Sequence, residues 1–156
     1  MTHSYQIQAD DLQDGKIIEL LLEHHERMHQ HSPPESIHAL DIDAMHACDL
    51  RFWSARRNDN VVGCGALKAL GADAFEIKSM KVVDSALGTG IGKALLTTLI
   101  EKAKSSLGKS LFLETGTHNA FLPARRLYEQ FGFTQCGPFS DYKSDPYSVF
   151  YQKKIS

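Results

Sequence analysis

Apolar residues recur at helical spacing in two long segments, which predict two helices. After Gly90 they follow one another every three to four residues and form one continuous face, composed of Ile91, Leu95, Leu96, Leu99, Ile100 and Ala103. Gly108 is the predicted end of this helix. An earlier helix is predicted over residues 11–31, before Pro33 and Pro34, with an inward face of Ile17, Ile18, Leu21, Leu22, His25 and Met28.

Shorter apolar runs bounded by turn residues predict strands. Residues 52–56 and 61–69 read as a hairpin around Asn58-Asp59-Asn60, because these residue types tolerate turn conformations. One more helix is predicted at residues 120–131, and further strands at 5–8, 74–83, 110–114, 133–135 and 148–153. This order predicts an α+β fold, a mixed sheet flanked by helices.

Composition narrows the class of protein. The chain has 156 residues, 42% of them hydrophobic, and no linker or repeat divides it, so we expect a single domain over residues 1–156. A formal net charge of −2 gives no general attraction to nucleic acid or to an anionic membrane. Cys48, Cys64 and Cys136 lack metal-ligand spacing and indicate reduced thiols, and we see neither a secretion signal nor a membrane-spanning run. We therefore expect a cytoplasmic protein.

Three alternating glycines, Gly88, Gly90 and Gly92, stand between a predicted strand and the helix that begins near residue 91. Glycines allow a tight turn and a close approach to a ligand, and the first N–H groups of a helix attract anions. Lys93 adds a positive charge. The spacing fits neither the dinucleotide pattern G-x-G-x-x-G nor the triphosphatase pattern G-x-x-x-x-G-K-[ST]. The pattern favours a phosphate cradle, with an ordinary glycine-rich loop as the alternative.

The segment 76–133 resembles the GNAT superfamily of acetyl-CoA-dependent N-acetyltransferases. That family has a pyrophosphate loop, [QR]-x-x-G-x-[GA], and a later helix ending in a pattern like A-x-x-L-Y-x-x-x-G-F. Here the loop is residues 87–92, with Leu87 in place of the usual Arg or Gln, and residues 124–133 match the second pattern completely. A bacterial subgroup of acetyltransferases is similar to further stretches, at residues 33–36, 113–116 and 136–139.

The resemblance implies a mixed, mostly antiparallel central sheet and acetyl-CoA as co-substrate. It implies that Met80, Lys81 and Val82 offer main-chain groups to the pantetheine arm, and that one of their N–H groups holds the oxyanion. The family's asparagine position falls on Phe121, so Asn119 is either a cofactor contact or a helix cap. The full set of implied cofactor contacts is Met80, Lys81, Val82, Gly88, Thr89, Gly90, Ile91, Gly92, Lys93 and Asn119.

Acetyl transfer to nitrogen needs a base, because an amine is protonated near neutral pH. Glu76 is the candidate, since its position resembles that of the catalytic glutamate in histone-acetylating members of the family. The alternatives are a strand carboxylate paired with a neighbouring lysine, Glu114 as the base, or a chain of water molecules. Strand alternation places Glu76, Met80 and Val82 on one face unless a bulge intervenes.

Tyr128 is the candidate acid. The resemblance implies that its hydroxyl lies beside the thioester sulfur and protonates the departing thiolate. A packed helix tyrosine is the structural alternative. No cysteine falls within the matched motifs, so we expect direct transfer in a ternary complex rather than a covalent acetyl-enzyme.

The acceptor is expected to be the amine of a small molecule. Its pocket is predicted to draw on residues 33–40, the end of the Glu114 strand and the loop 140–147. The carboxylates of Asp141 and Asp145 suit a cationic substrate, although a solvated polar loop has the same composition. The sequence leaves homodimer formation open.

Two other functions compete with this interpretation. Residues 25–29 read H-E-x-x-H, in which His25 and His29 would bind zinc and Glu26 would activate water. No further ligand is signalled and His25 falls on the apolar helix face, so we expect no metal. A binding module that senses acyl-CoA without turnover is the other alternative, chiefly because of Leu87.

Overall fold

The computed structural model describes residues 5–28, 45–46, 49–71 and 73–156. Within these residues the strands are β1 Gln6–Asp10, β2 Leu50–Arg57, β3 Asn60–Ala69, β4 Ala74–Val82, β5 Ser110–Gly116, β6 Thr134–Cys136 and β7 Ser148–Lys154. The α-helices are α1 Lys16–Met28, α2 Ile91–Ser105 and α3 Leu122–Gln130, and short 3-10 turns occupy Asp84–Ala86 and Asn119–Phe121.

The seven described strands form one sheet in the order β1-β2-β3-β4-β5-β7-β6. Five of its six neighbouring pairs are antiparallel, and β4 with β5 is the parallel one. The predicted α+β class with a mixed, mostly antiparallel sheet is confirmed.

Helix α1 begins later than the sequence indicated. The side chains of Asp10, Asp11 and Asp14 accept hydrogen bonds from the backbone amides two residues further on. Such local bonds compete with helix formation, so the helix starts at Lys16. Ile17 and Leu21 are buried as predicted, but Leu22 is 49% exposed, so its inward placement was wrong. The predicted helix end, with Pro33 and Pro34, lies outside the described residues.

The β2–β3 hairpin turns where the sequence indicated. Asn58 and Asp59 both have positive φ angles, 52° and 68°. Two successive left-handed residues form the type of turn whose twist matches the flanking strands. Asn60, which the prediction assigned to the turn, is already the first residue of β3.

The two faces of the sheet are covered differently. Helix α2 packs on one face with its predicted apolar side, and all six of those residues are buried. A side chain at Gly63 or Gly65 would lie 2.9 Å from Leu95 or Leu99, respectively, so these glycines permit the close approach of α2. On the other face, Ile17 and Leu21 of α1 belong to a core cluster with Phe52, Cys64 and Ala66.

Strands β4 and β5 separate after the first three residues of each strand. Their pairing runs from Ala74 with Ser110 to Glu76 with Phe112 and then stops. Beyond this point β4 continues to Val82, while β5 remains paired with β7 as far as Gly116. The sheet therefore opens into a gap between residues 77–82 and residues 113–116.

Candidate active site

A cluster of polar and charged side chains around the buried Glu76 lies at the point where the gap begins. Glu76, the last β4 residue paired with β5, is only 2% exposed. The Tyr142 hydroxyl donates a hydrogen bond to Glu76 Oε2 at 2.6 Å, and Lys78 Nζ lies 3.7 Å from the same oxygen. Lys78 Nζ also donates to the Tyr142 hydroxyl oxygen at 3.2 Å. A buried carboxylate requires such partners, and these three residues form the Glu76–Lys78–Tyr142 cluster.

A β-bulge in β4 reverses the predicted alternation of side chains. Cys64 pairs with Lys81, but Ala66 pairs with Lys78, so two steps along β3 match three steps along β4. The extra residue places Lys81 on the same face as Lys78 and Glu76. Met80 and Val82 instead pack against the core cluster that contains Ile91 and Leu95. The bulge that the sequence analysis allowed for is therefore present, and Met80 and Val82 do not share a face with Glu76.

The backbone conformation at Ser79 accompanies this bulge. Its φ angle is 55°, which is uncommon for a residue with a side chain. The Cys64 thiol donates to the Ser79 carbonyl oxygen at 3.2 Å. Because Cys64 is buried, the pKa of its thiol is raised to about 12. This cysteine is accordingly a protonated core residue.

Tyr142 reaches the cluster from the loop between β6 and β7. Its ring contacts Phe139 and Phe150, with centroid distances of 5.1 and 5.5 Å. Burial, and next the negative charge of Glu76, raise the pKa of the Tyr142 phenol far above its ordinary value. The hydroxyl therefore stays protonated and can donate to Glu76. Sequence reasoning missed this contact, because 66 residues separate the two side chains.

Tyr128 lies on α3 and is 7% exposed. Its ring approaches Phe133 and Tyr151, with centroid distances of 6.0 and 6.3 Å. Burial, and then the charge of Glu114, raise the pKa of the Tyr128 phenol to about 12. The phenol is therefore protonated at neutral pH and retains a proton that it can donate.

Glu114 lies on β5 beyond the last residue paired with β4. Its side chain accepts a hydrogen bond from Ser148 Oγ at 2.7 Å. Strand alternation places Glu114 on the same face of β5 as Phe112, the residue paired with Glu76. Two carboxylates, Glu76 and Glu114, thus stand on the two strands that border the gap.

The glycine turn leads directly from β4 to α2. Gly88 and Gly90 have φ angles of 78° and 87°, and Gly90 occupies the N-cap of α2. The first intrahelical hydrogen bond there joins the Ala94 amide to the Gly90 carbonyl. The amides of residues 91–93 thus precede the first bond of the helix and are oriented to bind an anion.

The turn is open on its outer side. A side chain added at Gly88 or Gly90 would meet no atom within 4 Å. Lys93 is exposed, as is Leu87, at 62%. Thr89 Oγ1 donates to the Ala86 carbonyl oxygen and thereby anchors the turn. The predicted cofactor residues from Gly88 to Lys93 are thus brought together around one helix N-terminus.

Asn119 does not cap a helix. The side chain that accepts the capping hydrogen bond is His118, whose Nδ1 takes it from the Ala120 amide at 2.9 Å. Asn119 is exposed in the following 3-10 turn. The interpretation of Asn119 as a cap was wrong, because the turn begins one residue earlier. Its place among the cofactor contacts stays a prediction.

The H-E-x-x-H motif lies only partly within the described residues. His25 and Glu26 lie on α1, whereas His29 falls outside the described residues, as does the predicted acceptor segment 33–40. Among the residues that are described, no three His, Cys, Asp or Glu side chains come together as metal ligands.

Within the described residues, no helix is long and apolar enough to cross a membrane.

Comparison with known proteins identifies relatives over almost the whole chain. The model of the acetyltransferase (GNAT) family matches residues 16–133. An uncharacterized N-acetyltransferase of Bacillus subtilis, YsnE, is 46% identical over 149 residues, which are 96% of this chain and 99% of that protein.

Solved structures share the fold. One from Klebsiella pneumoniae, assigned to the acyl-CoA N-acyltransferases, has a TM-score of 0.85 at 26% identity and covers 99% of this chain and 100% of that one. A GNAT acetyltransferase from Elizabethkingia anophelis with acetyl-CoA bound has a TM-score of 0.71. Its sequence is 20% identical over 98% of this chain and 99% of that one, so this likeness indicates a shared fold and no more.

Proposed function

Since this chain belongs to the acetyltransferase (GNAT) family and is an N-acetyltransferase, we propose that it moves an acetyl group from acetyl-CoA to the amine of a small molecule. The observation that carries this proposal is the opening between β4 and β5 after Glu76 and Phe112. It exposes the β4 edge directly before the glycine turn. A linear thioester laid along that edge would end at the helix N-terminus.

The residues around the gap fit acetyl-CoA chemically. The backbone of Met80, Lys81 and Val82 follows the last β4–β5 pair, so its polar groups are not used by β5. At the other end, the helix amides and the Lys93 ammonium suit the pyrophosphate. When bound, acetyl-CoA supplies the activated acetyl group. Asn119, on the turn before α3, completes the proposed contacts.

Glu76 is proposed as the base that takes a proton from the acceptor amine. The Tyr142 hydroxyl donates a hydrogen bond to Glu76 Oε2 and Lys78 Nζ lies 3.7 Å from the same oxygen, so both partners hold the carboxylate in place beside the gap. Glu114, or an ordered water molecule, is the alternative base. Tyr128 is proposed as the acid, because the family resemblance implies that its hydroxyl lies beside the thioester sulfur and a phenol is protonated at neutral pH.

The acceptor is proposed to be small and cationic. Glu76 and Glu114 place two carboxylates on the strands bordering the gap, and a protonated amine is attracted to such groups. A net charge of −2 provides no general attraction to nucleic acid or to an anionic membrane. We further propose direct transfer in a ternary complex and a cytoplasmic location, with a homodimer as the assembly to test.

Leu87 favours a second candidate function. It replaces the arginine or glutamine that family members commonly carry at the phosphate loop, and its side chain is 62% exposed. Without that polar contact, the same fold can serve as an acyl-CoA sensor that binds but does not turn over. Binding and turnover must therefore be measured separately.

An acceptor screen tests both candidates. The protein is incubated with acetyl-CoA and a panel of amino acids, polyamines, aminoglycosides and peptides, and released thiol is measured. Acceptor-dependent release is the result expected of the enzyme. Acetyl-CoA binding by calorimetry, with no release across the panel, would identify the sensor instead.

Gly90→Leu is expected to weaken acetyl-CoA binding by at least about tenfold, because Gly90 is the N-cap of α2 and a bulky side chain there should obstruct a phosphate at the helix N-terminus. Gly15→Leu is the matched control. Gly15 also has a positive φ, 73°, and accepts the first hydrogen bond of its helix, but it lies at α1. Calorimetry should show weaker binding for Gly90→Leu only; equal affinity in both folded variants would refute the phosphate cradle.

Removal of metal is expected to leave acetyl transfer unchanged. In the described residues no set of ligands surrounds His25 and Glu26, and the proposed proton transfers use no metal. Elemental analysis of the purified protein and activity before and after chelation provide the measurement. Stoichiometric zinc, together with peptidase activity lost on chelation, would instead support the H-E-x-x-H interpretation.

A further inference from the structure

Lys78 holds its own primary ammonium where the proposed reaction requires an acceptor amine. Its Nζ lies 3.7 Å from Glu76 Oε2 and donates to the Tyr142 hydroxyl oxygen at 3.2 Å. It also lies 5.7 Å from the centroid of the Tyr142 ring. A carboxylate, a phenol oxygen and an aromatic face are the groups that bind an alkylammonium. The Lys78 side chain is 32% exposed, so it is not sealed within the core.

Lys78 also lies close to the edge proposed for the thioester. It directly precedes the bulge at Ser79 and Met80, where an N–H group is proposed to hold the oxyanion. Two residues of strand span about 7 Å. The flexible four-carbon stem of a lysine covers a comparable distance. The Nζ atom can therefore swing from Glu76 toward that edge without movement of β4.

We propose that the enzyme acetylates Lys78 itself when acetyl-CoA is bound and no acceptor is present. The inference rests on the proposed function, because it uses the same base, acid and acetyl donor. Glu76 takes one proton from the Lys78 ammonium. The freed lone pair of Nζ then forms the bond to the acetyl carbon, and the bond from that carbon to sulfur breaks.

Protons and electrons balance in this step. Tyr128 protonates the leaving sulfur, which departs as the CoA thiol, and the second proton lost from Nζ restores the Tyr128 phenol through solvent. Glu76 returns its proton to solvent. The product is a neutral acetamide on Lys78, and no group is oxidised or reduced.

The modification has a predictable effect on the site. An acetamide carries no charge, so Lys78 no longer pairs with Glu76 or places a cation over the Tyr142 ring. The acetyl group also occupies the place of the incoming amine. We therefore expect turnover to fall as Lys78 becomes acetylated, and a cationic acceptor to protect Lys78 by competing for Glu76.

Mass spectrometry of the full chain, incubated with acetyl-CoA alone, tests the proposal. Lys104, exposed on α2, is the internal reference for uncatalysed acetylation. Lys78 is expected to be acetylated at least about tenfold faster than Lys104. The first-order rate constant for Lys78 should not depend on protein concentration. Glu76→Gln should slow Lys78 acetylation by about a hundredfold or more, while Lys104 is unaffected.

Two further variants keep the test informative if Glu76→Gln does not fold. Lys78→Arg retains the positive charge, and the rapid acetylation of the chain should be absent in this variant. In Lys104→Arg the rapid acetylation should still occur. Equal acetylation rates at Lys78 and Lys104 would overturn the proposal. A first-order rate constant for Lys78 acetylation that rises with protein concentration would also overturn it, because it would show transfer between molecules.

The screen with external amines separates this inference from the proposed function. Turnover of an acceptor by a protein that leaves Lys78 unmodified in acceptor-free reactions would refute self-acetylation alone. Acetyl-CoA binding with neither acceptor turnover nor Lys78 modification would refute both. Acetylation of Lys78 that slows as the acceptor concentration rises is the result expected if both are correct.

Discussion

Tyr128→Phe is expected to lower the rate of acetyl transfer by about a hundredfold to ten-thousandfold, the usual contribution of a general acid. The substitution removes only the hydroxyl, and the ring retains its neighbours Phe133 and Tyr151. Acetyl-CoA affinity is therefore expected to stay unchanged. Single-turnover kinetics, with binding measured by calorimetry, distinguish the loss of the acid from the loss of the cofactor.

Tyr151→Phe is the matched control. Its hydroxyl donates to Glu129 Oε2 at 2.9 Å, and its ring lies beside that of Tyr128. It has no proposed role in proton transfer, so this variant should retain turnover. Full turnover in Tyr128→Phe, with chemistry shown to be rate-limiting, would contradict the acid role.

The pKa of Tyr128 provides a readout that is independent of activity. Its folded-state value of about 12 exceeds the ordinary value of 10.0. The folded state therefore binds more protons than the unfolded state above pH 10, and the stability linked to Tyr128 is lost as the pH rises through about 12. Denaturation of Tyr128→Phe across this range should show a smaller loss of stability than the wild type.

Glu76→Gln is expected to lower turnover by a similar factor at neutral pH, because the variant cannot take a proton from the acceptor. The defect should shrink as the pH rises toward the ordinary pKa of an alkylamine, about 10, since solvent then supplies the free amine. The shape of the side chain is retained, and its Oε1 can still accept the hydrogen bond from Tyr142. The measurement is the pH–rate profile of both proteins under single-turnover conditions.

Glu129→Gln is the corresponding control, because Glu129 also accepts a hydrogen bond from a tyrosine but does not belong to the Glu76–Lys78–Tyr142 cluster. Its pH–rate profile should match that of the wild type. If Glu76→Gln also keeps the wild-type profile, the base lies elsewhere. Glu114→Gln is then the next variant to measure.

Local patterns predicted most of the elements correctly. The α2 helix has six apolar residues on one face, and such a stripe indicates a helix that is buried against another element of the fold, whatever lies further along the chain. The turn at Asn58 and Asp59 depends on residues that tolerate positive φ angles. The GNAT resemblance also follows from contiguous residues, at positions 87–92 and 124–133, and the family match confirms it.

Departures from these predictions have local causes that a periodicity does not capture. Three aspartate side chains bind the backbone before α1 and delay its start. The bulge at Ser79 inserts one residue into β4 and reverses the alternation beyond it. The spacing of apolar residues does not reveal such an insertion. It becomes visible only in the pairing with the partner strand.

The sequence by itself determined the fold class, the family and the position of the glycine turn, because each depends on residues close together in the chain. Only the tertiary structure decided the surroundings of Glu76. Tyr142 meets that carboxylate from 66 residues away, and the bulge places Lys81 rather than Met80 on its face. Contacts between distant segments depend on register and loop geometry, which local spacing does not encode.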